Sequence, residues 1–159
     1  MRIGYGYDLH RLAVGRKLVL GGVEMDFSMG LAGHSDADVL SHAIGDAILG
    51  AAALGDLGSH FPDSDAQYAG ISSLKLLTRI SELVRNAGFE ISNVDGTVIA
   101  QAPKVGPYRD EMRQNISRAL GIPISGVSVK ATTTEGLEST GRGEAIAASA
   151  VALIEKAET

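Results

Sequence analysis

The sequence predicts a single domain, residues 1–159, of the α/β or α+β class, in which a layer of strands packs against helices. The chain has 159 residues, a length typical of one domain, and no low-complexity linker or internal repeat divides it. Apolar residues make up 45% and charged residues 21%, the balance of a globular domain with a buried core. Segments with strand patterns alternate with segments of helical periodicity, which indicates one layered fold.

The first half of the chain contains one predicted strand pair and two predicted helices. Residues 17–27 are typical of strands around a Gly-Gly turn. Residues 35–54 predict a helix, because apolar side chains recur with a helical period, the first turn is acidic and Ser35 suits the N-cap. Residues 72–88 predict a second helix, with its apolar side chains on one face and Gly88 at its end.

The second half contains two predicted strands, one helix and an ambiguous tail. Residues 93–101 predict a strand, and residues 107–121 predict a helix with a proline near its start and a glycine after its end. Residues 126–134 predict a strand that runs into a hydroxyl-rich loop. In the tail, 143–157, the alanines favour a helix, while the continuous apolar character fits a strand buried on both faces, so the local pattern leaves both open.

The composition limits the classes of function. Only 4% of the residues are aromatic and none is Trp, so the core uses small side chains and oligomerisation can add stability. The chain has no Cys, so a transition-metal site must use His, Asp or Glu. The net charge of −5 argues against a nucleic-acid partner. No signal segment and no apolar run of membrane length is evident, so we expect a cytoplasmic protein without a membrane partner.

The segment GYGYDLHRL, residues 4–12, places two potential metal ligands on one face of an extended chain. Asp8 and His10 are two residues apart, and side chains with this spacing point to the same side of a strand. The pair is half of a metal site if a further ligand lies nearby. Otherwise it is an ordinary strand end.

A polar stripe in the first predicted helix offers that further ligand. Asp38, His42 and Asp46 are each four residues apart, so they line one helix face. The stripe is either a solvent-facing seam or a buried polar set with partners, because an unpaired charge in a core is costly. Together with Asp8 and His10, His42 supplies the ligands of a tetrahedral zinc with its fourth position open to substrate. Asp38 or Asp46 then orients a ligand imidazole as its hydrogen-bond acceptor.

Two loops and two other histidines offer further candidates. His34 and Ser35 stand before the helix, where backbone N–H groups favour an anion, but capping by Ser35 with an exposed His34 explains them equally well. His60 has no partner at a suggestive spacing and is predicted to be a surface residue. The acidic loop 54–65 and the threonine-rich segment 129–144 offer groups for substrate hydroxyls, phosphate oxygens or Mg²⁺.

The motifs also resemble those of a known family, the 2-C-methyl-D-erythritol 2,4-cyclodiphosphate synthases of the non-mevalonate isoprenoid pathway. The resemblance is evident in RIGYGYDLHRL, LAGHSDADVLSHAIGDAILGAAALGDLGSHFPDSD, NVDGTVIAQAPK, VKATTTEGL and TGRGEAIA, which occur in the family's order from residue 2 to about residue 157. It implies a small mixed sheet backed by helices and a strand in the tail. It further implies a homotrimer around a three-fold axis, with active sites between subunits.

The resemblance implies a lyase reaction. The family cyclises 4-diphosphocytidyl-2-C-methyl-D-erythritol 2-phosphate to 2-C-methyl-D-erythritol 2,4-cyclodiphosphate and releases CMP. The substrate's own 2-phosphate, whose second pKa is about 6, is the nucleophile, so no protein nucleophile is needed. The alternatives are a metal-dependent phosphohydrolase, in which water attacks at the same site, and a trimeric binding module without turnover.

The resemblance also implies the roles of individual residues. A divalent metal, usually zinc, is held by Asp8, His10 and His42, and Glu135 holds Mg²⁺ or Mn²⁺ on the substrate diphosphate. His34 and Thr133 are the transition-state-stabilising positions. The substrate-binding positions are Asp8, Leu9, His10, His34, Ser35, Asp56, Leu57, Gly58, Phe61, Pro62, Asp63, Ser64, Asp65, Ala100, Gln101, Ala102, Pro103, Lys104, Val105, Gly106, Thr132, Thr133, Thr134, Glu135, Ser139 and Arg142.

The substrate-binding positions fall into segments with separate roles in the family. Residues 56–58 hold the methylerythritol hydroxyls, and residues 61–65 form a flexible loop beside them. Residues 100–106, with Thr132, form the cytidine wall. Many relatives have bulkier side chains at positions 105 and 106, so we expect weaker packing around the base, whose identity is still read by the main chain.

One departure from the family lies near the three-fold axis. Many relatives have phenylalanine at the position of Ser139, where it lines an apolar cavity guarded by Arg142 that can hold an isoprenoid diphosphate. Loss of an aromatic ring removes an apolar contact of order 1 kcal/mol or more. The neighbouring Glu138 repels a diphosphate if it faces the axis. Weak isoprenoid binding is therefore predicted.

Overall fold

The computed structural model describes residues 1–157 and contains a sheet with helices on one face. The strands are β1 (Arg2–Ala13), β2 (Leu18–Leu20), β3 (Val23–Met25), β4 (Gly30–Leu31), β5 (Phe89–Ile99), β6 (Val127–Thr132) and β7 (Ala145–Lys156). The helices are α1 (Val39–Ala52), α2 (Leu57–His60), α3 (Ser73–Asn86), α4 (Arg109–Leu120) and α5 (Glu138–Gly141). None of these helices of residues 1–157 has the length and apolar character needed to cross a bilayer.

The main sheet is mixed, as the resemblance implies. Its strand order is β4-β1-β7-β5-β6, and β2 and β3 form a separate hairpin around the Gly21–Gly22 turn. Strand β7 runs antiparallel to β1 and to β5, whereas β5 and β6 are parallel. The ambiguous tail is therefore a strand, and it lies at the centre of the sheet. Pairing along both edges and burial of its alanines outweigh their helix propensity.

Helix α1 packs unusually close to the sheet because β1 has glycines where the two elements meet. A Cβ atom added at Gly4 would lie 1.9 Å from the Ala47 carbonyl oxygen, and one added at Gly6 would lie 2.0 Å from that of Ala43. Only glycine permits this approach of one backbone to another. The opposite face of the sheet remains open, with Ile3, Tyr5, Tyr7, Leu9 and Val151 exposed.

Several element boundaries differ from the predicted ones. The helix predicted over 35–54 begins only at Val39, and its N-cap is Asp38 rather than Ser35. Its first turn is consequently not acidic. The short helix α2 lies inside the segment predicted as a loop, and β5 begins at Phe89 rather than at residue 93.

Candidate active site

Strand β1 and helix α1 bring the three predicted metal ligands together. Asp8 and His10 alternate with exposed neighbours on β1, so both point toward α1, and His42 projects back from the first turns of that helix. The nearby glycines of β1 keep the helix axis close enough for His42 to reach the strand. Asp8 and His10 on the strand and His42 on the helix therefore lie together, as the sequence predicts.

The three potential ligand atoms converge on one point. Asp8 Oδ2 lies 2.8 Å from His10 Nε2 and 3.0 Å from His42 Nδ1, and the two nitrogens are 3.4 Å apart. A tetrahedral zinc with bonds of about 2.0–2.1 Å separates its ligand atoms by roughly 3.3–3.4 Å. The three residues therefore fit a divalent ion if the ligand atoms move apart by a few tenths of an ångström. One coordination position is then left for a substrate oxygen.

The outer nitrogen of each imidazole has a partner. His10 Nδ1 lies 2.7 Å from the Ala32 carbonyl oxygen, which only accepts, so Nδ1 has the proton and the lone pair of neutral His10 is on Nε2, facing Asp8. His42 Nε2 lies 2.9 Å from Ser73 Oγ and 3.1 Å from Ser35 Oγ. The inner nitrogens and the carboxylate are electron-rich atoms held together, an arrangement that a proton or a cation must neutralise.

The electrostatics of the cluster agree with this geometry. Burial raises the pKa of Asp8, but hydrogen bonds and charge interactions with His10 and His42 lower it more, so its pKa lies well below the usual range. The hydrogen bond to Asp8 raises the pKa of His10 above its ordinary value of 6.5, against the opposing effect of burial. Without a metal, a proton on His10 partly takes the place of the cation.

The prediction that Asp38 or Asp46 orients a ligand imidazole is wrong. Asp38 is fully buried and accepts hydrogen bonds from the backbone of Gly21 and Gly22 and from Ser41. It caps α1 instead of extending the stripe, since a carboxylate immediately before a helix is a strong N-cap. Asp46 faces the site but accepts from the Leu57 N–H at 2.7 Å, and burial raises its pKa.

A cleft of about 380 Å³ lies over the ligand cluster. It gathers many of the predicted substrate-binding residues from the loops beside α1 and α2. Its lining consists of Asp8, His10, Gly33, His34, Ser35, His42, Asp46, Leu57, Gly58, Phe61, Pro62 and Asp63. A cleft with mixed polar and apolar walls that contains a metal-ligand cluster is suited to a small molecule whose anionic groups a bound cation can hold.

The histidines outside the cluster have different environments. His34 lines the cleft, with Nε2 3.3 Å from the Asp65 carbonyl oxygen, but it stands five residues before α1 begins, too far to share an anion site at that helix end. His60 is half-buried rather than a simple surface residue, and its Nε2 lies 2.7 Å from the Leu54 carbonyl oxygen. The helix-terminus explanation for His34 and Ser35 is therefore wrong.

The other predicted substrate-binding residues do not line this cleft of the single chain that the structure describes. Leu9 lies on the open face of the sheet, while Asp56 caps α2 and Asp65 caps the turn at Ala66–Tyr68. Residues 100–106 follow the end of β5, and residues 132–135 begin at Thr132, the last residue of β6. Ser139 and Arg142 belong to the region of α5, where Arg142 pairs with Glu144 through contacts of 2.9 and 3.2 Å.

Two polar residues behind His42 were absent from the sequence predictions. Ser73 begins α3 and is 1% exposed, and its hydroxyl lies 2.5 Å from Asp36 Oδ1. Ser73 is 31 residues from His42, and Asp36, although near His42 in the chain, lies outside the four-residue spacing of the predicted stripe. The available signal was weak: a serine at the start of a helix and an aspartate within HSDAD.

Comparison with known proteins decides the family. The YgbB family model matches residues 1–155, nearly the whole chain. The chain belongs to the YgbB family. This YgbB chain is 61% identical over 154 residues to the 2-C-methyl-D-erythritol 2,4-cyclodiphosphate synthase of Desulfosudis oleivorans, covering 97% of this chain and 92% of that protein.

Solved structures agree with this YgbB membership. IspF from Plasmodium falciparum in complex with CDP has a TM-score of 0.86 and 37% identity, covering 99% of this chain and 97% of that one. The bifunctional IspDF from Campylobacter jejuni has a TM-score of 0.94 and 41% identity. The alignment covers 98% of this chain but only 42% of the bifunctional protein. The family fold is therefore the same in proteins with and without a second module.

Proposed function

We infer that this protein is a lyase that converts 4-diphosphocytidyl-2-C-methyl-D-erythritol 2-phosphate to 2-C-methyl-D-erythritol 2,4-cyclodiphosphate and CMP, in the non-mevalonate isoprenoid pathway. The observation that supports it most is the Asp8–His10–His42 cluster in the cleft. The chain that holds it is 61% identical to a protein named 2-C-methyl-D-erythritol 2,4-cyclodiphosphate synthase. The phosphohydrolase alternative has no comparable support.

Zinc is the proposed ion at Asp8, His10 and His42, since two imidazoles and one carboxylate are ligands that zinc prefers, and the chain has no thiolate. Mg²⁺ or Mn²⁺ is proposed at Glu135, together with the substrate diphosphate. When bound, such ions supply Lewis-acid polarisation and neutralise charge on the phosphoryl oxygens.

The protein's own part in the reaction is to position the substrate and stabilise charge. The substrate's 2-phosphate attacks the terminal phosphoryl of the diphosphate, so the side chains need not provide a nucleophile. His34 lines the cleft, which supports its proposed role in stabilising charge that develops on the phosphoryl oxygens. Thr133 and Glu135 are hydrogen-bonded to each other, with Oγ1 3.1 Å from Oε1, which places a hydroxyl donor beside the proposed magnesium ligand.

The substrate's organic parts are assigned to the surrounding loops. Asp56 to Gly58 begin α2 beside the cleft, and we propose that they hold the methylerythritol hydroxyls. Residues 61–65 are proposed to form the loop beside them. Residues 100–106, with Thr132, form the proposed cytidine wall, and the complex of a relative with CDP supports a cytidine nucleotide ligand.

A homotrimer with shared active sites is proposed for two reasons. The cytidine wall, residues 100–106, and the threonine segment, residues 132–135, lie at the ends of β5 and β6, whereas the metal ligands lie on β1 and α1. The cleft described for one chain has no lining residue from either segment. The open sheet face also exposes Ile3, Tyr5 and Tyr7 at 71%, 65% and 50%, an apolar surface that a partner subunit would cover.

The cytoplasmic location stays a prediction.

Product analysis by phosphorus NMR tests the activity. With substrate, zinc and Mg²⁺, we expect the paired signals of a cyclic diphosphate together with CMP, and no turnover when a chelator removes the metals. An open-chain diphosphate or inorganic phosphate as the product would instead establish the hydrolase.

Subunit mixing tests the shared site. His42→Ala removes a metal ligand, and Lys104→Ala alters the cytidine wall, so each variant alone should be inactive. After exchange of subunits, verified by mass spectrometry, mixed trimers contain some sites with both parts intact, and activity should return. Absence of recovery in exchanged trimers contradicts a site built from two chains.

A further inference from the structure

The two ligand histidines differ in how their protonated nitrogen is determined. For His10 the outer partner is the Ala32 carbonyl oxygen, which can only accept, so the proton must be on Nδ1. For His42 the outer partners are the hydroxyls of Ser73 and Ser35, which can donate or accept. A hydroxyl that donated to His42 Nε2 would move the proton to Nδ1 and block the metal-binding lone pair.

Asp36 removes this ambiguity at Ser73. A carboxylate is an acceptor only, and Asp36 Oδ1 lies 2.5 Å from Ser73 Oγ, so the hydroxyl proton of Ser73 points to Asp36. The lone pairs of that hydroxyl then face His42 Nε2, 2.9 Å away, and accept its proton. At Ser35, the hydroxyl oxygen also accepts the Ala37 N–H, at 3.2 Å.

Asp36 is itself held by a set of donors. Its Oδ2 accepts the Ser73 N–H at 3.0 Å, and its Oδ1 also accepts the Asp38 N–H at 3.2 Å. The side chain of Ser72, the N-cap residue of α3, makes no capping hydrogen bond, so Asp36 serves the first N–H of that helix from a different loop. The carboxylate is thus fixed by backbone groups of α3 and of the α1 cap.

We propose that Asp36 and Ser73 are positioning residues that bias His42 toward its Nε2-protonated tautomer, with Nδ1 directed at the metal, against Asp8 Oδ2, which lies 3.0 Å from Nδ1 and favours a proton there in the metal-free protein. The connection runs Asp36 Oδ1, Ser73 Oγ, His42 Nε2: the acceptor-only carboxylate of Asp36 takes the Ser73 hydroxyl proton, which leaves the Ser73 oxygen free to accept from Nε2. Mutation of a residue that hydrogen-bonds the outer nitrogen of a metal-bound histidine typically lowers metal affinity or activity by about 10–100-fold. The inference rests on the proposed metal site.

The test compares two buried serines on the same helix. Ser73→Ala removes the hydroxyl but leaves the backbone N–H that bonds Asp36. Ser81→Ala is the matched control, because Ser81 is 2% exposed and its hydroxyl donates to the Leu120 carbonyl oxygen, away from the metal cluster. The zinc Kd of each intact protein is measured by competition with a chromophoric chelator, and the tautomer of His42 by ¹⁵N NMR of the metal-free protein.

Ser73→Ala is expected to weaken zinc binding by about tenfold or more, to raise the population of Nδ1-protonated His42, and to leave the Kd of the Ser81→Ala control near that of the wild type. Asp36→Asn is the second variant, in which an amide N–H₂ must face one of the three donors. It should weaken zinc binding as well. If both Ser73→Ala and Asp36→Asn bind zinc with wild-type affinity and keep the wild-type tautomer of His42, the positioning role is overturned while the metal site stands. Failure of the wild-type protein to bind one zinc per chain would overturn the metal site and the proposal together.

Discussion

Replacement of Gly6 by alanine is expected to damage the fold and the metal site together. A Cβ atom at this position would lie 2.0 Å from the Ala43 carbonyl oxygen and 2.8 Å from the Ala47 nitrogen, whereas real Cβ contacts stay above 3.0 Å. Helix α1 must therefore move away from β1 by at least about 1 Å. The obstacle is backbone, so a change of side-chain rotamer cannot relieve it.

The magnitude follows from the kind of contact. Overpacking in a core costs ~1–3 kcal/mol, and occasionally more, and a backbone obstacle places Gly6→Ala at the upper end, about 3 kcal/mol. In a domain of this length that loss lowers Tm by roughly 6–12 °C. The same displacement moves His42 away from Asp8, whose facing atoms are now 3.0 Å apart. Their separation then exceeds the span of a tetrahedral zinc, so zinc affinity should fall at least about tenfold.

The assay is thermal unfolding of the metal-free protein combined with a zinc competition titration. Gly50→Ala is the matched control, since Gly50 lies exposed in the same helix and its added Cβ atom meets nothing within 4 Å. That variant should gain ~0.5–1 kcal/mol of stability from helix propensity and keep its zinc affinity. Gly6→Ala protein that melts and binds zinc like the wild type would refute the account of close helix–strand packing.

Four further predictions concern the metal ligands and the proposed axis. His42→Ala should lose stoichiometric zinc by elemental analysis while still binding CDP weakly, and retained zinc would contradict a three-ligand site. Zinc affinity should fall by up to about tenfold per pH unit once the pH is lowered below the raised pKa of His10, because a proton then competes for Nε2. A pH-independent zinc Kd would argue against this competition. The free energy of unfolding of the metal-free protein should change in the opposite sense, since protonated His10 stabilises the fold below its ordinary pKa of 6.5 and this contribution is lost as the pH rises through the raised value. Thermal unfolding of the metal-free protein across this pH range checks it, and a Tm that does not fall as the pH rises would contradict it. Farnesyl diphosphate should bind weakly by titration calorimetry, because Ser139 offers no ring and Arg142 is already paired with Glu144, and low-micromolar binding abolished by Arg142→Ala would count against this.

The sequence was informative where local spacing determines direction. Asp8 and His10 could be placed on one side because strand side chains alternate, and His42 was conspicuous as an imidazole in an apolar helix. Helical spacing also suggested Asp38 as part of the same stripe. That prediction failed because the helix begins only at Val39, and the preceding aspartate turns its side chain inward to cap the helix.

The remaining features depend on contacts between distant segments. One partner of His42, Ser73, is contributed by the start of α3, 31 residues further along, and no local pattern links the two. The glycines of β1 are a related case, since alternating glycines in a strand indicate close approach of another backbone but not which one. The tail was undecided for the same reason, because its pairing with both β1 and β5 determines that it is a strand.

Anomalous diffraction at the zinc edge, from crystals containing zinc, Mg²⁺ and CDP, tests the metal site and the shared active site most directly. The account predicts one zinc per chain bound to Asp8 Oδ2, His10 Nε2 and His42 Nδ1, with a phosphate oxygen of CDP in the fourth position. The cytosine should lie on residues 100–106 of a neighbouring chain in a trimer. Zinc at another position, a fourth protein ligand that closes the site, or a cytosine bound away from that wall would contradict it.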